Sequence, residues 1–200
     1  MISAVLLAAG NSTRMGKLKQ LLPFGTSTIL EQVIDNLLGS VVKEIVVVVG
    51  HRAEGVIKTA SSKPVKVVLN SDPEQGMSTS IIAGLNAVDS QAQAFMIALG
   101  DQPLIDGWII NRLIEEFHHH DKGIVIPTYQ GKRGHPIIFA RKYRHELLAL
   151  RGDVGGREIV RNHLEDILEV AVNCEGIYLD IDTPQSLSVC RSKLKKTLRR

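Results

Sequence analysis

"EIVVVVG", residues 44–50, is apolar at five consecutive positions, shows no polar alternation, and stops at a glycine. A strand with one solvated face alternates, whereas a strand covered on both faces in a parallel sheet does not. "AFMIAL" at 94–99 has the same texture, and further strand-like runs lie at 2–8, 65–69 and 124–127. Helix-like segments separate them. Residues 28–38 place Thr28 and Glu31 at capping-box spacing, line up Ile29, Val33, Leu37 and Leu38, and end at Gly39. Others fall near 53–61 and 78–88, and at 107–119, where Asp106 is the candidate cap and Ile109, Leu113 and Phe117 form the stripe. Strands alternating with helices predict an α/β fold, a single doubly wound and mostly parallel sheet of Rossmann-like type.

From about residue 130 the texture changes. "PIIF" at 136–139 reads as a strand, 141–150 and 155–164 as helices, and 167–173 and 177–181 as two more strands. Asp182 or Thr183 then caps a last helix with Pro184 at its first position and Leu187, Cys190, Leu194 and Leu198 along one side. No linker, internal repeat or low-complexity segment interrupts the chain. We expect one domain over 1–190, followed by a basic helix end or tail at 191–200.

That tail distorts the charge balance. The formal net charge is +3, but the last ten residues hold six of the 24 basic groups, leaving 18 against 21 acidic ones before them. The body is no basic platform, so nucleic acid is not an expected partner. No stretch approaches the roughly 20 apolar residues that span a bilayer, and the first residues form a strand rather than a leader, so no membrane is expected and the cytoplasm is the expected compartment. Two cysteines, Cys174 and Cys190, are too few for a disulfide framework. The histidines at 118–120 end a helix and read as a solvated terminus.

Open parallel sheets bind ligands beyond the carboxyl ends of their strands. Four such ends carry glycine or small polar residues: Ala9-Gly10, Gly50-His51, Asn70-Ser71 and Gly100-Asp101. The loop after the first strand is neither of two common phosphate loops. Five residues rather than four separate Gly10 from Gly16, Leu18 stands where a P-loop needs a hydroxyl, and Gly-x-Gly-x-x-Gly spacing is absent. What it offers is small residues that let backbone N–H groups approach a ligand, with Arg14 as a planar fork and Lys19 as a point charge.

"LLAAGNSTRMGKLKQLLPFG", residues 6–25, resembles the opening signature of the nucleotidyltransferases related to molybdenum cofactor cytidylyltransferase, which have a glycosyltransferase-A-like fold. The resemblance implies that this loop, through Leu7, Ala8, Ala9 and Gly10, wraps a nucleoside triphosphate held by Arg14 and Lys19. It also implies a small acceptor-binding excursion from the sheet. Ala9 matches the cytidylyl version of the motif, since the guanylyl relatives carry a second glycine there. "NSDPEQGMSTSIIAGL", residues 70–85, resembles the base-recognition loop and its helix, pointing to Asn70, Gly76, and Ser78 or Ser80. "ALGDQPLI", residues 98–105, supplies Asp101, the match to the aspartate that coordinates Mg²⁺, with Mn²⁺ as a substitute. "YLDIDTPQSL", residues 178–187, adds Asp180 or Asp182 near the metal. "GKRGHPIIF" and "LRGDVGGREIV" resemble acceptor-facing segments, with His135, Asp153 and Arg157 as the matching residues.

The implied reaction moves CMP from CTP to the terminal phosphate of molybdenum cofactor or its metal-free pterin, molybdopterin, and releases pyrophosphate. Three alternatives stay open: guanylyl transfer to the same pterin, cytidylyl transfer to another phosphorylated acceptor, and a non-catalytic nucleotide-binding chaperone that delivers cofactor to a molybdenum hydroxylase apoenzyme.

Overall fold

The computed structural model describes residues 1–10, 18–50 and 54–197. Its centre is β1 (Ile2–Ala8), flanked by two parallel neighbours. The "VVVV" strand, β4 (Glu44–Gly50), lies on one side and β6 (Ala94–Leu99) on the other, so that Val5 faces both Val46 and Ile97 across the ladders. Between β1 and β4 the chain makes a small hairpin, β2 (Pro23–Phe24) with β3 (Ser27–Thr28), which the sequence patterns do not reveal. Beyond β4 lies β5 (Lys66–Asn70), again parallel. On the other flank stand β7 (Ile124–Tyr129), the two-residue β8 (Lys132–Arg133), β9 (Ile137–Ala140) and β10 (Ile167–Ala171). The sheet order is β10-β7-β9-β6-β1-β4-β5, with β8 on β7. β9 runs antiparallel between β6 and β7.

Both faces of this sheet are covered, which explains the unbroken apolar runs. Ala4, Leu6 and Ala8 point to one side, where they meet α1 (Ile29–Leu38), α2 (Glu54–Ser61) and α4 (Gly107–His119). Val5 and Val48 point to the other, against α3 (Met77–Ala87), α5 (Arg144–Ala149) and α6 (Arg157–Asn162). α1 begins with the expected capping box: the Thr28 hydroxyl accepts from Glu31 N, and Glu31 accepts from Thr28 N. Such a cap contributes about 1 kcal/mol. Asp106 accepts from Ile109 N and caps α4, leaving Asp101 for other work.

Three expected elements change. Residues 177–181 form no strand: a 3-10 turn covers Glu175–Tyr178, and the following backbone spends its N–H groups elsewhere, Ile181 N donating to Asp101 O rather than to a ladder. The helix expected from 155 starts only at Arg157, because Gly155 takes a positive φ of 56°. The segment 141–150 divides into a 3-10 turn (Arg141–Tyr143) and α5. The last helix, α7 (Pro184–Thr197), is capped by Thr183, whose Oγ1 accepts from Ser186 N at 3.1 Å, so Asp182 is spared that role. Leu187 and Cys190 of α7 pack with Phe24, Ile29 and Ile181 in a separate apolar cluster. Both cysteines are free thiols, and the histidines at 118–120 are exposed. Among the described residues no helix is long and apolar enough to cross a membrane.

Candidate active site

The carboxyl ends of β1 and β6 open into a crevice of about 480 Å³. Leu7, Ala8, Ala9 and Gly10 form its floor, and Gly76 and Ser80 line one side. Lys19, Asp101, Asp180 and Asp182 line the other. Arg14 lies outside the described residues. Asn70 and Ser78 are buried and do not line the crevice.

Lys19 organises the charge. It sits in a 3-10 turn (Lys19–Leu21), and its Nζ donates to Asp101 Oδ2 and to Asp182 Oδ1, each at 2.6 Å. Residues from three distant parts of the chain thus meet at one ammonium. Burial alone would lower the Lys19 pKa, but the two carboxylates overturn that and hold it above the ordinary lysine value. Burial also pushes the Asp101 carboxyl above the usual carboxylate range; Lys19 pulls against this, and the charges of Asp180 and Asp182 add to the rise. Two carboxylates that already converge on one cation are a donor set of the kind Mg²⁺ takes, one or two carboxylates completed by substrate phosphates and water. Among the described residues there is no group of three or more His, Cys, Asp or Glu side chains suited to an all-protein metal cage.

Gln20, which sequence reasoning passed over, is buried. Its Nε2 donates to Ala8 O at 3.1 Å and Gly10 O at 2.8 Å, pinning the start of the loop to its exit. The only hint of this was a second polar residue, after Lys19, between Leu18 and Leu21.

Asn70 works from beneath. Asp72 N, which can only donate, bonds to Asn70 Oδ1 at 3.0 Å. The amide is therefore oriented, and its Nδ2 donates to Thr79 Oγ1 and Ser80 Oγ at 2.8 and 2.9 Å. Gly76, at φ 104° and ψ 179°, is in a conformation open essentially to glycine alone. A Cβ there would also stand 2.5 Å from Gly152 C. That close approach joins the loop before α3 to the 150–157 segment, where Asp153 Oδ1 accepts from Met77 N and Gly152 O from Ser78 N.

A second cavity, of about 510 Å³, shares Met77, Leu99, Asp153 and Asp180 with the first. Arg133, His135, Arg157 and Arg161 line it. So the structure separates the expected residues into two sets, with His135 and Arg157 in this cavity and Asp153 between the two. Burial, and then the Arg157 charge, lower the His135 pKa to about 4, with Asp101 opposing. His135 is accordingly neutral at pH 7, and the cavity's positive charge comes from its arginines.

A model of the MobA-like NTP transferase domain matches residues 4–167. The chain is 28% identical over 193 residues to the molybdenum cofactor cytidylyltransferase of Escherichia coli (strain K12), covering 96% of each protein. It is 29% identical over 197 residues to the nicotine blue oxidoreductase of Paenarthrobacter nicotinovorans, covering 93% of this chain and 94% of that one. The crystal structure of Rv0371c from Mycobacterium tuberculosis H37Rv superposes with a TM-score of 0.86 at 30% identity, over 96% of this chain and 97% of that one. A structure of Rv0371c in complex with manganese gives a TM-score of 0.81 at 28% identity, over 96% and 98%.

Proposed function

The chain belongs to the family of the MobA-like NTP transferase domain, and from that premise we propose that it transfers CMP from CTP to the terminal phosphate of molybdenum cofactor or molybdopterin. The observation that carries the reading is the Lys19 bridge between Asp101 and Asp182 at the mouth of a crevice that opens into an arginine-lined cavity. One side suits a triphosphate with its divalent cation, the other an anionic acceptor.

The acceptor phosphate has a second pKa of about 6 and is largely ionised at pH 7, so the chain needs no general base. An oxygen of that phosphate attacks the α-phosphorus of CTP; a new P–O bond forms as the bond to the β-phosphate breaks, and pyrophosphate leaves with the electron pair. In-line placement of the two phosphates is the protein's main contribution. Arg157 and Arg161 are suited to hold the acceptor, and Arg14 and Lys19 the triphosphate. Asp101 and Asp182 would hold Mg²⁺, or Mn²⁺ in its place, which when bound neutralises charge on the leaving group. The Ser80 oxygen is already engaged as an acceptor from Asn70, so its hydroxyl proton is available to the crevice and matches a cytosine carbonyl. The methyl group of Ala9, which lines the same crevice, narrows the room for a purine.

The test is mass spectrometry of the product from purified molybdenum cofactor with CTP and GTP in competition. A pterin cytosine dinucleotide is the expected product. A guanine dinucleotide would reverse the base assignment, and CTP bound without turnover on any phosphorylated acceptor would favour a carrier or, as the oxidoreductase relative illustrates, another chemistry on this fold.

A further inference from the structure

Gln102 directly follows Asp101, is 2% exposed, and takes no part in the chemistry proposed above. Its Nε2 donates to Asp180 Oδ1 at 2.7 Å and to Ile177 O at 3.2 Å. Both partners are acceptors, so the amide nitrogen must face them and the orientation is fixed by chemistry. Among the described residues its Oε1 is buried with no hydrogen-bond partner, an arrangement that typically costs about 1–3 kcal/mol. A residue kept only for packing would not carry that penalty, since an apolar side chain of the same length would avoid it.

Resting on the proposed metal site, we infer that Gln102 is a positioning residue that sets Asp182 opposite Asp101. The segment 177–182 has no strand ladder to hold it, and two of its ties to the Asp101 turn are made by Gln102, a third being Ile181 N donating to Asp101 O. The same carbonyl, Ile177 O, also accepts from His135 N at 2.8 Å, and a Cβ on Gly134 would lie 2.3 Å from it. One amide therefore ties Ile177, on the acceptor side, to Asp180, two residues before Asp182. Its neutrality matters as well: a lysine or arginine in its place would neutralise Asp180, and a glutamate would repel it.

The test is Gln102→Met, which keeps the length and removes both the two donations and the orphan oxygen. We expect Tm within about 2 °C of wild type, amide exchange across 177–182 faster by about tenfold, and Mn²⁺ affinity in the presence of CTP, read by electron paramagnetic resonance, weaker by about 10- to 100-fold. Exchange and affinity both within about twofold of wild type would overturn the inference. So would a large fall in Tm with exchange raised throughout the molecule, because that marks a packing role only. If the wild-type protein itself takes up no Mn²⁺ with CTP, the proposed function fails, and the exchange of 177–182 alone decides on Gln102.

Discussion

The crevice at the strand ends and the cavity beside it are of similar size, about 480 and 510 Å³, yet they are built by opposite routes. The crevice sits on the ends of parallel strands, and its floor residues are consecutive in sequence, from Leu7 to Gly10. The cavity forms where the antiparallel strand β9 interrupts the parallel order, and most of its walls are gathered from 133–137, 153–161 and 177–180. A ligand site at strand ends is inherited from the topology of the sheet; a site made from loops that meet across it depends on individual contacts. The two should therefore respond differently to substitution, the first through turnover and the second through acceptor affinity and pH.

The largest effect is expected at Asp101. Asp101→Asn should lower pyrophosphate release by about 10²–10³-fold, the usual loss when one electrostatic group at a reacting centre is removed; unchanged release would remove Asp101 from the chemistry. Lys19→Met should lower turnover by about 10²-fold. It should also tighten Mn²⁺ binding measured without nucleotide, because the ammonium that now occupies the space between Asp101 and Asp182 is gone. Weaker metal binding in that variant would mean that the lysine supports the cation seat rather than competing for it.

The cavity has its own signature. His135, lowered by burial to about 4 in the folded protein from the ordinary histidine value of 6.5, gives the unfolded chain the greater proton uptake between those values. Stability is thus present above about pH 6.5 and falls as the pH drops toward about 4, by roughly 2 kcal/mol after allowance for the water that still reaches the ring. Urea unfolding of His135→Asn should lack that slope, and an unchanged slope would assign it to other groups. The smallest effect belongs to Arg157→Lys, which keeps the charge but loses the planar fork; the acceptor KM should rise about tenfold while the CTP KM holds. Equal rises in both constants would merge the two sites into one.

Legibility in the sequence followed the same division. The unbroken apolar runs of β4 and β6 disclosed a sheet covered on both faces, and Thr28 with Glu31 disclosed the start of α1. Asp101 stood out because it follows a buried strand, and Lys19 because the loop after β1 resembles a family signature. Their salt bridge did not, since 82 residues separate them and only the pairing of β1 with β6 brings them together. The 177–181 segment read as a strand because its apolar residues alternate, but its hydrogen bonds go to Asp101, Gln102 and His135 and no ladder forms. Gln20 and Gln102 escaped notice for a related reason. A single buried amide has no periodicity, and its value lies wholly in the backbone groups it reaches.

The most direct measurement is a crystal structure with CTP and Mn²⁺, using the anomalous signal to locate the ion. Manganese bound to Asp101 and Asp182, with Lys19 turned onto the phosphates and the cytosine against Ser80, is the predicted result. Lys19 still seated between the two carboxylates, with neither ion nor nucleotide in the crevice, would contradict it.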